Sequence, residues 1–425
     1  MKRIIKTFIT LAILLFLVNT SWYSYIFKGI YATYLQGNTT ANIFDGTSFK
    51  KGKISAQNPT PWPVKIDSRF TPSLELSQAL STIETGAFLI FDNDTLRHEQ
   101  YNNKVSQESK TNSFSMSKSI VAILVQIAIQ DGEIKGWDEP VINLIPELNG
   151  PGRELLTLAN LAGMTANIDW DENYYNPLGV SAKAYYGTDL YKTIISRSIG
   201  ADVGVKFEYQ SASTALLGFY LEAATGRKIY EYASEKLWTP LGAVSDAFWH
   251  LDDSGNALTY CCYNATARDY GRLGKLILQN GQWEGNRLVD ADFLRGATTP
   301  GSEQYYGLSF WLGEAQTSDG EPMDPPRSYI AFHGHLGQWI IILPDLNRVI
   351  VRTGHQDGDL PINNGKQSPF ILTVQEYSKL PFFSWDKNNS VEKNSEVIND
   401  TTVEMPEEKL IESDALPVNN GDLDL

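Results

Sequence analysis

The spacing of hydrophobic and polar positions changes several times along the chain, and each change predicts an element of secondary structure. A run from Ile120 to Ile129 that is apolar except for Gln126 follows a polar cluster and predicts a buried helix from about Ser115 to Asp131. The stretches "SASTALLGFYLEAATG" and "TARDYGRLGKLILQNG" place apolar residues at helical spacing. A further helix is expected near residues 367–379.

Strand patterns lie at both ends of this region. "GAFLIFDND" (86–94) and "TLRHEQYNN" predict two strands joined by an Asn-Asp turn, and "YIAFHGHLGQWIIILP" and "RVIVRTG" predict strands further along the chain. Mixed helices and loops occupy about residues 135–295. Strands at both ends with helices between them predict one sheet built from both ends of the chain.

The first 27 residues begin with basic side chains and continue with mainly apolar ones. Lys2, Arg3 and Lys6 precede the run "TFITLAILLFLVNTSWYSYIF". This run is about long enough to cross a bilayer, which takes roughly 20 residues, and aromatic residues follow it as they do at membrane interfaces. We expect an uncleaved membrane anchor, with a cleaved signal segment as the alternative. The positive charges predict a cytoplasmic N-terminus and place the rest of the chain outside.

The segments that flank the main domain have loop-like compositions. Residues 28–75 are rich in Gly, Thr, Asn and Pro and predict an extended linker. Apolar periodicity stops after Pro381, so residues 381–425 are expected to form an acidic, disordered tail. The predicted organisation is therefore an anchor or signal segment (1–27), a linker (28–75), one main domain (76–380) and the tail.

Composition narrows the choice of partners and of cross-links. The 425 residues carry a formal net charge of −15, which argues against nucleic-acid binding, and more than half of the excess negative charge lies in the tail.

The two cysteines, Cys261 and Cys262, are neighbours, so their Cα atoms lie about 3.8 Å apart. That separation is shorter than the usual span of a disulfide bond. We expect two packed thiols, with a strained bridge as the alternative.

The polar cluster "SFSMSK" before the buried helix is the first candidate for chemistry. Ser115 and Lys118 are three residues apart and therefore share one face of a helix. A lysine in an apolar setting at a helix N-terminus loses its proton more easily and can act as a base for a serine hydroxyl. The alternative is an ordinary helix cap. S-x-x-K occurs at three other places, but only this copy opens a long apolar helix.

Acyl transfer also needs a group that returns a proton to the leaving atom, and Y-x-[NS] supplies a phenol beside a polar side chain. The candidates with this pattern include Tyr101 in the predicted hairpin, Tyr174 in the acidic loop "DWDENYYNP", and Tyr209. We favour Tyr209, because it ends an extended segment just before an amphipathic helix. The alternative for each is ordinary packing of a half-buried ring.

The segment "HGHLGQ" (333–338) is the candidate for an oxyanion hole. Gly334 and Gly337 lie on a predicted strand, and glycine permits backbone N–H groups to approach a reacting carbonyl closely. The alternative to an oxyanion hole is a β-bulge at these glycines.

His333 and His335 form H-x-H, but no further cluster of His, Cys or acidic residues nearby completes a metal site, so no metal is expected. A G-x-S-x-G elbow is also absent from the sequence.

Together these motifs resemble the serine β-lactamase-related family, in the class C-like branch that includes esterases, D-aminopeptidases and aminohexanoate-oligomer hydrolases. The resemblance rests on six blocks in the expected order between about residues 75 and 378. They include "SFSMSKSIVAIL", "LLTLANLAGMT" and "GHLGQWIIILPDLNRVIVRTG". The G-x-x-G-Q form of the last block is most similar to the aminohexanoate-hydrolase branch.

The resemblance implies an α/β (α+β) fold of the β-lactamase/transpeptidase type, in which an antiparallel sheet flanked by helices packs on a mostly helical subdomain. It implies Ser115 as the acylated nucleophile, Lys118 as its base, and Tyr209 as the proton shuttle beside Ser211. The substrate-binding and oxyanion residues would be Gly334, His335, Gly337 and Gln338. No cofactor and no metal are implied.

The resulting hypothesis is that residues 76–380 form a serine hydrolase that cleaves an amide or ester bond of a small molecule or short peptide through an acyl-enzyme. The last motif lacks the K-T-G lysine that would meet a substrate carboxylate, so weak or absent β-lactam turnover is expected. The alternatives are a D-amino-acid peptidase, a β-lactamase and a non-catalytic, membrane-anchored penicillin-binding-like protein. The expected location is the bacterial cell envelope, anchored in the membrane and facing the periplasm or exterior, or else secreted to the periplasm.

Overall fold

A six-stranded antiparallel sheet built from both ends of the main domain is the centre of the fold. The computed structural model describes residues 3–7, 9–10, 23–317, 320–358, 360–362 and 365–381. The strands lie at β1 (Lys50–Ile54), β2 (Thr85–Asp92), β3 (Thr95–Tyr101), β4 (Thr111–Asn112), β5 (Ala247–Leu251), β6 (Tyr263–Ala265), β7 (Gln282–Trp283), β8 (Asn286–Arg287), β9 (Trp311–Glu314), β10 (Ser328–Gly334), β11 (Gln338–Leu343), β12 (Arg348–Gly354), β13 (Leu360–Ile362) and β14 (Gly365–Gln367). The helices lie at α1 (Tyr25–Ala32), α2 (Leu74–Thr82), α3 (Met116–Gln130), α4 (Leu158–Ala162), α5 (Val180–Tyr186), α6 (Leu190–Ile195), α7 (Ser211–Thr225), α8 (Ile229–Ala233), α9 (Ala267–Leu278), α10 (Ala291–Ala297) and α11 (Pro369–Lys379).

The order of the main sheet is β3-β2-β12-β11-β10-β9, so two strands that precede the helical region pair with four that follow it. All neighbouring strands are antiparallel, and the central register aligns Val351 with Ile340 on one side and Leu89 on the other. The turn between β2 and β3 holds Asn93 and Asp94 at positive φ, as two-residue hairpin turns require. The antiparallel sheet from both chain ends and the hairpin are confirmed.

Helices cover both faces of this sheet. α9 lies so close to one face that a Cβ atom at Gly274 would sit 2.4 Å from a methyl group of Val349, so only glycine fits there. On the other face, Tyr377 of α11 packs its ring on Phe88 of β2. Because both faces are covered, every residue of β2 is buried, as its continuous apolar pattern indicates.

Helix α3 joins the sheet to the helical subdomain, because it contacts β10 as well as α7. All residues from Met116 to Ala128 are buried. A helix that is apolar on all sides is a core helix, which confirms the prediction from the apolar run. The N-terminus of α3 therefore opens where the sheet and the subdomain meet.

A second sheet, of order β1-β5-β6-β4, contains part of the stretch 28–75 that the sequence predicts to be an extended linker. β1 pairs with β5, Gly52 lies against the ring of Tyr230, and Ile43 and Ile54 are fully buried. The linker prediction is therefore wrong for this stretch. Its strand is short, lies at the edge of the sheet and exposes its lysines, as edge strands do, so its pattern resembles that of a loop.

The predictions for the two ends of the chain fall partly outside the described residues. Residues 11–22, the middle of the apolar N-terminal run, are not among them, and neither are residues 382–425 of the predicted tail. In the part of the chain that the structure describes, no helix is long and apolar enough to cross a membrane. After this gap, α1 packs on α5, with Gly29 beside the ring of Tyr186.

Cys261 and Cys262 are joined by a disulfide bond, so the expectation of two packed thiols is wrong. Cys262 lies in a turn and has a φ of 72°. This left-handed backbone conformation is uncommon for residues other than glycine. Side chains hold this turn, because Trp249 Nε1 donates to the Cys261 carbonyl oxygen and the Asn264 amide donates to the Cys262 carbonyl oxygen, each at 2.8 Å.

Candidate active site

Ser115 lies at the N-terminus of α3, directly after a tight turn. Phe114 in this turn has a φ of 43°, which is unfavourable for a residue with a side chain and needs support from its surroundings. The side chain of Asn112 gives that support by accepting a hydrogen bond from the backbone N–H of Phe114 at 2.9 Å. Ser115 makes no side-chain capping hydrogen bond to α3, and its hydroxyl instead meets Lys118.

Lys118 is buried and its ammonium group has three hydrogen-bond partners. Its Nζ lies 3.0 Å from Ser115 Oγ, 3.2 Å from Ser211 Oγ and 3.1 Å from the carbonyl oxygen of Tyr260. Burial lowers the pKa of Lys118 to about 8, although the negative charge of Glu172 opposes this shift. An amine with such a pKa is partly unprotonated near neutral pH, as a general base must be.

Glu172 fixes the direction of the hydrogen bonds around Lys118. Its carboxylate accepts from Ser211 Oγ at 2.5 Å and from Ser211 N at 2.8 Å. Because the Ser211 hydroxyl donates its one proton to Glu172, it can only accept from Lys118. The neutral amine then donates to Ser211 and to the Tyr260 carbonyl, and its lone pair faces the hydroxyl of Ser115. This arrangement prepares Ser115 to give its proton to Lys118.

Glu172 is itself held by two aromatic side chains of the same loop. Trp170 Nε1 donates to its Oε2 at 2.6 Å, and the hydroxyl of Tyr174 donates to its Oε1. With the two donors of Ser211, each carboxylate oxygen accepts two hydrogen bonds. The negative charge is therefore compensated by protein groups and stays close to Lys118.

Tyr209 lies two residues before α7 and shares a hydrogen bond with the side chain of Ser115. Burial raises the pKa of its phenol, an effect that the hydrogen bond with Ser115 reduces, so the group is protonated at neutral pH. Its ring lies 4.8 Å from Lys118 Nζ and packs against Tyr306 and Trp311, with centroid distances of 6.2 and 5.6 Å. A neutral phenol beside the nucleophile is suited to pass a proton to a leaving group.

The end of β10 lies against the turn that carries the nucleophile. A Cβ atom at Gly334 would sit 2.2 Å from the carbonyl oxygen of Ser113 and 3.2 Å from the backbone nitrogen of Ser115. The backbone of Gly334 is extended, so the lack of space, and not the conformation, requires glycine. This contact puts Ser115 N beside the chain at Gly334 and His335, where the N–H groups of an oxyanion hole would lie.

Gly337 and Gln338 lie outside the cleft at Ser115 and support the turn after β10. The Gln338 amide donates to the carbonyl oxygens of His335 and Gly354 at 3.0 and 2.9 Å, and its oxygen accepts from Gly354 N at 3.0 Å. Gly337 has a φ of 69° and leaves room for the guanidinium of Arg352. The side chain of Gln338 therefore positions His335 and does not face the substrate.

The two histidines of H-x-H face different neighbours. His333 Nε2 lies 3.8 Å from Asp357 Oδ2, whereas the ring of His335 packs against Phe114 and Tyr174, each with a centroid distance of 5.4 Å. Among the described residues, no group of three His, Cys, Asp or Glu side chains converges as a metal site would require.

A cleft opens in front of Ser115 and contains about 620 Å³ of empty space, part of it open to solvent. We call it the Ser115 cleft. Six aromatic side chains form much of its wall, namely Phe114, Trp170, Tyr174, Tyr185, Tyr186 and Tyr260. Small and polar residues complete it, namely Thr40, Ala41, Ser115, Ser181, Ala182, Ser211, Cys261 and His335.

The structure separates the three candidate Y-x-[NS] tyrosines. Tyr209 contacts the nucleophile, Tyr174 lies on the cleft wall with its hydroxyl on Glu172, and Tyr101 lies on β3 with its hydroxyl 3.0 Å from Glu99. Of the predicted site residues, the structure thus brings together Ser115, Lys118, Tyr209, Ser211, Gly334 and His335.

Sequence reasoning missed Glu172, the carbonyl of Tyr260 and the wall residues Thr40 and Ala41. In the sequence, Glu172 is one of several acids in a polar loop and has the pattern of a solvent-exposed side chain. Its one signal is the alternation of Trp170, Glu172 and Tyr174, because alternate residues of an extended segment share a face. A backbone carbonyl and two small residues leave no such signal.

Comparisons with known proteins relate the chain to one family. The sequence model of the beta-lactamase family matches residues 75–365. A curated relative is the 6-aminohexanoate-dimer hydrolase of Paenarthrobacter ureafaciens, which is 27% identical over 337 residues and is matched over 73% of this chain and 83% of its own length.

Solved structures resemble this chain in fold. A putative 6-aminohexanoate-dimer hydrolase from Bacillus anthracis superposes with a TM-score of 0.64 at 19% identity, over 78% of this chain and 92% of that one. A D-stereospecific amidohydrolase from Streptomyces sp. gives 0.54 at 16% identity, over 73% and 100%. A class C beta-lactamase mutant gives 0.52 at 17% identity, over 72% and 96%.

Proposed function

The chain belongs to the beta-lactamase family and is a serine hydrolase of that family, and from this premise we propose that it cleaves small amides and esters through an acyl-enzyme on Ser115. The single observation that carries the proposal is the 3.0 Å contact between Lys118 Nζ and Ser115 Oγ. The direction of the surrounding hydrogen bonds supports it, because that direction leaves the lysine lone pair for the serine proton.

In the first half of the reaction, Ser115 Oγ bonds to the substrate carbonyl carbon while its proton passes to Lys118 Nζ. The carbonyl oxygen becomes an oxyanion beside Ser115 N and the backbone after Gly334. The intermediate collapses by breaking the bond to the leaving nitrogen or oxygen, and Tyr209 delivers the proton that this atom needs. The products of this half are an acyl-enzyme and a free amine or alcohol.

Before the second half, the proton that Lys118 took from Ser115 passes to the Tyr209 phenolate, so both groups are neutral again. Water then attacks the acyl carbon and gives a proton to Lys118, and this proton returns to the Ser115 oxygen as the bond from that oxygen to the acyl carbon breaks. One water is consumed and a carboxylic acid is released, so the enzyme returns to its starting state. Amides are the favoured natural substrates in this proposal, since the curated relative is named 6-aminohexanoate-dimer hydrolase and an amino acid dimerises by forming an amide bond.

The test uses a fluorophosphonate probe, which phosphonylates an activated serine with loss of fluoride. Mass spectrometry of the digested protein should locate the adduct on Ser115, and the Ser115→Ala variant should remain unlabelled. A folded protein that carries the adduct on another serine, or no adduct at all, would contradict the proposal. The second of these outcomes would favour a binding protein over an enzyme.

The location of the chain is a proposal that rests on its sequence. The basic and apolar pattern of residues 1–27 supports attachment to the bacterial envelope, with the catalytic domain facing the periplasm or exterior. Fractionation of cells that produce the full chain should find it with the membranes. A soluble periplasmic form that begins after residue 19 would replace this proposal with a secreted protein.

A further inference from the structure

The position of Tyr209 indicates which half of a substrate the Ser115 cleft receives. If Tyr209 returns the proton to the leaving group, as proposed above, the leaving group lies on the side of its phenol. Tyr209 is not part of the cleft wall, and its ring packs on Tyr306 and Trp311 instead. The cleft, whose wall includes Ser115 but not Tyr209, is therefore the place for the acyl half.

None of the described residues that line the cleft carries a charged side chain. Glu172, a nearby carboxylate, is behind the wall and already accepts four hydrogen bonds. Asp45 is buried behind Tyr185, whose hydroxyl donates to it at 2.6 Å. A charge at the end of an acyl chain would thus lose its water and find no partner in this wall.

The cleft does contain neutral hydrogen-bonding groups. Among the described residues, the Tyr260 hydroxyl and His335 Nε2 are buried and have no hydrogen-bond partner. Burial raises the pKa of Tyr260 and lowers that of His335, which the charge of Asp357 only partly opposes, so both groups are uncharged near pH 7. These two groups suit a hydroxyl or amide on an otherwise apolar acyl group.

Part of the wall comes from a stretch that precedes the residues matched by the family. Thr40 and Ala41 belong to the segment 38–49, which is tied to the domain at several points. Ile43 is fully buried and its carbonyl oxygen accepts from Asn112 N at 2.9 Å. Asn112 is also the residue that supports the nucleophile turn, so the segment is fixed relative to the reacting centre.

We propose that the Ser115 cleft binds the acyl half of the substrate, that it selects an uncharged and mainly apolar acyl group, and that the segment 38–49 takes part in this selection through Thr40 and Ala41. The proposal rests on the proposed function, since it needs an acyl-enzyme on Ser115. It goes further by naming the substrate class and a specificity element outside the matched residues.

The first test compares 4-nitrophenyl esters that share a leaving group and a six-carbon acyl chain. The hexanoate ester is neutral, the 6-aminohexanoate ester ends in an ammonium group, and the adipate monoester ends in a carboxylate. We expect kcat/KM for the hexanoate ester to exceed that for each charged ester at least tenfold, because an unpaired charge is disfavoured in the cleft. A charged ester that is hydrolysed as well as the neutral one overturns the selection.

The second test fills the cleft from the segment 38–49. Ala41→Phe should lower the ratio of hexanoate to acetate turnover about tenfold or more, since a longer acyl chain needs the space that the ring occupies. Thr47→Phe is the matched control, because it adds the same ring at an exposed position of the same segment that does not line the cleft. An unchanged ratio in Ala41→Phe removes the segment from the proposal, and if that variant does not fold, Ala41→Leu provides the same measurement.

The outcomes distinguish the two proposals. Failure of the proposed function appears as ester hydrolysis that Ser115→Ala does not abolish, or as no hydrolysis together with no fluorophosphonate adduct on Ser115. Failure of the present inference appears as hydrolysis that requires Ser115 but is indifferent to acyl charge and to Ala41→Phe.

Discussion

The reacting centre and the wall of the Ser115 cleft are built in different ways. Ser115, Lys118 and Ser211 lie at the N-termini of α3 and α7, two 15-residue helices. The wall is assembled from the segment 38–49, the loop around Trp170 and the short helix α5. Side chains that must hold fixed distances thus sit on regular elements, whereas the surface that meets the substrate comes from irregular ones.

The two regions also differ in charge. The reacting centre couples the lysine amine to Glu172 through Ser211, so that a buried basic group and a partly buried acidic group share one hydrogen-bonded chain. The wall has no charged side chain among its described residues. Changes in the centre should therefore alter proton transfer and its pH dependence, whereas changes in the wall should alter which substrates are accepted.

The largest effect is expected at the nucleophile. Ser115→Ala should abolish acyl-enzyme formation and reduce ester turnover to the background, and Lys118→Ala should be nearly as damaging because the two residues act as one unit. Stability should change little for Ser115→Ala, since its hydroxyl caps no helix. Steady-state kinetics with thermal unfolding as the control would check this. Retained turnover in a folded Ser115→Ala protein would remove the division into centre and wall.

The next effect concerns the three candidate tyrosines. Tyr209→Phe keeps the ring but removes the transferable proton, so a loss of about 10²–10⁴-fold in kcat is expected. Tyr101→Phe, on β3 and away from the site, is the matched control and should match the unaltered protein. Tyr174→Phe should fall between them, because Tyr174 lies on the wall and holds Glu172. If Tyr174→Phe lost more activity than Tyr209→Phe, the shuttle would be assigned to the wrong tyrosine.

A smaller effect is expected for Glu172→Gln, which connects the centre to the wall. Burial lowers the pKa of Lys118 to about 8 against the opposing effect of the Glu172 charge, so the neutral amide, which removes that charge, should lower the pKa of Lys118 further. Because activity requires the unprotonated amine, kcat/KM should rise with pH toward about 8 in the unaltered protein, and the variant should reach its plateau at lower pH. We expect a loss of about tenfold at the plateau, from weaker positioning of Ser211.

The pH profile separates this electrostatic role from a purely structural one. A variant that lost activity equally at every pH would show that Glu172 only holds the loop. A profile displaced toward higher pH would contradict the assigned direction of the pKa shift.

The smallest effect on turnover is expected at Asp45, which supports the wall from behind. Burial raises the pKa of Asp45 to about 7, although hydrogen bonds from Tyr185 and Asn112 oppose the shift. The folded protein therefore retains a proton that the unfolded chain loses near pH 4, so this group lowers stability progressively from about pH 4 to pH 7. The contribution amounts to about 4 kcal/mol at most.

Asp45→Asn should remove this dependence. In urea unfolding at pH 5 and pH 8, the free energy of unfolding should fall less between the two values in the variant than in the unaltered protein. Equal pH dependence in both proteins would show that the carboxyl group stays ionised throughout. Activity toward the acetate ester should change less than stability, since Asp45 does not contact the reacting atoms.

The sequence contains enough information to predict the centre but not the wall. Ser115 and Lys118 follow helical spacing, and a mainly apolar run indicates that their helix is buried, so local pattern alone predicts their proximity. Glu172 reaches them through tertiary folding of a polar loop, and no local pattern distinguishes it from a solvated acid. Thr40 and Ala41 lie in a stretch whose composition is that of a loop, and its place in the domain depends on pairing with β5, some 200 residues later in the chain.

The attachment of the segment 38–49 has a consequence for how this protein can diversify. The segment reaches the cleft from outside the matched residues, and Ile43 and Asp45 join it to Asn112, the residue that supports the nucleophile turn. A related sequence that keeps these two residues could replace the rest of the segment, bring new contacts to the acyl group and leave the support of the nucleophile turn in place. Substrate recognition is therefore open to directed evolution at the remaining positions of the segment.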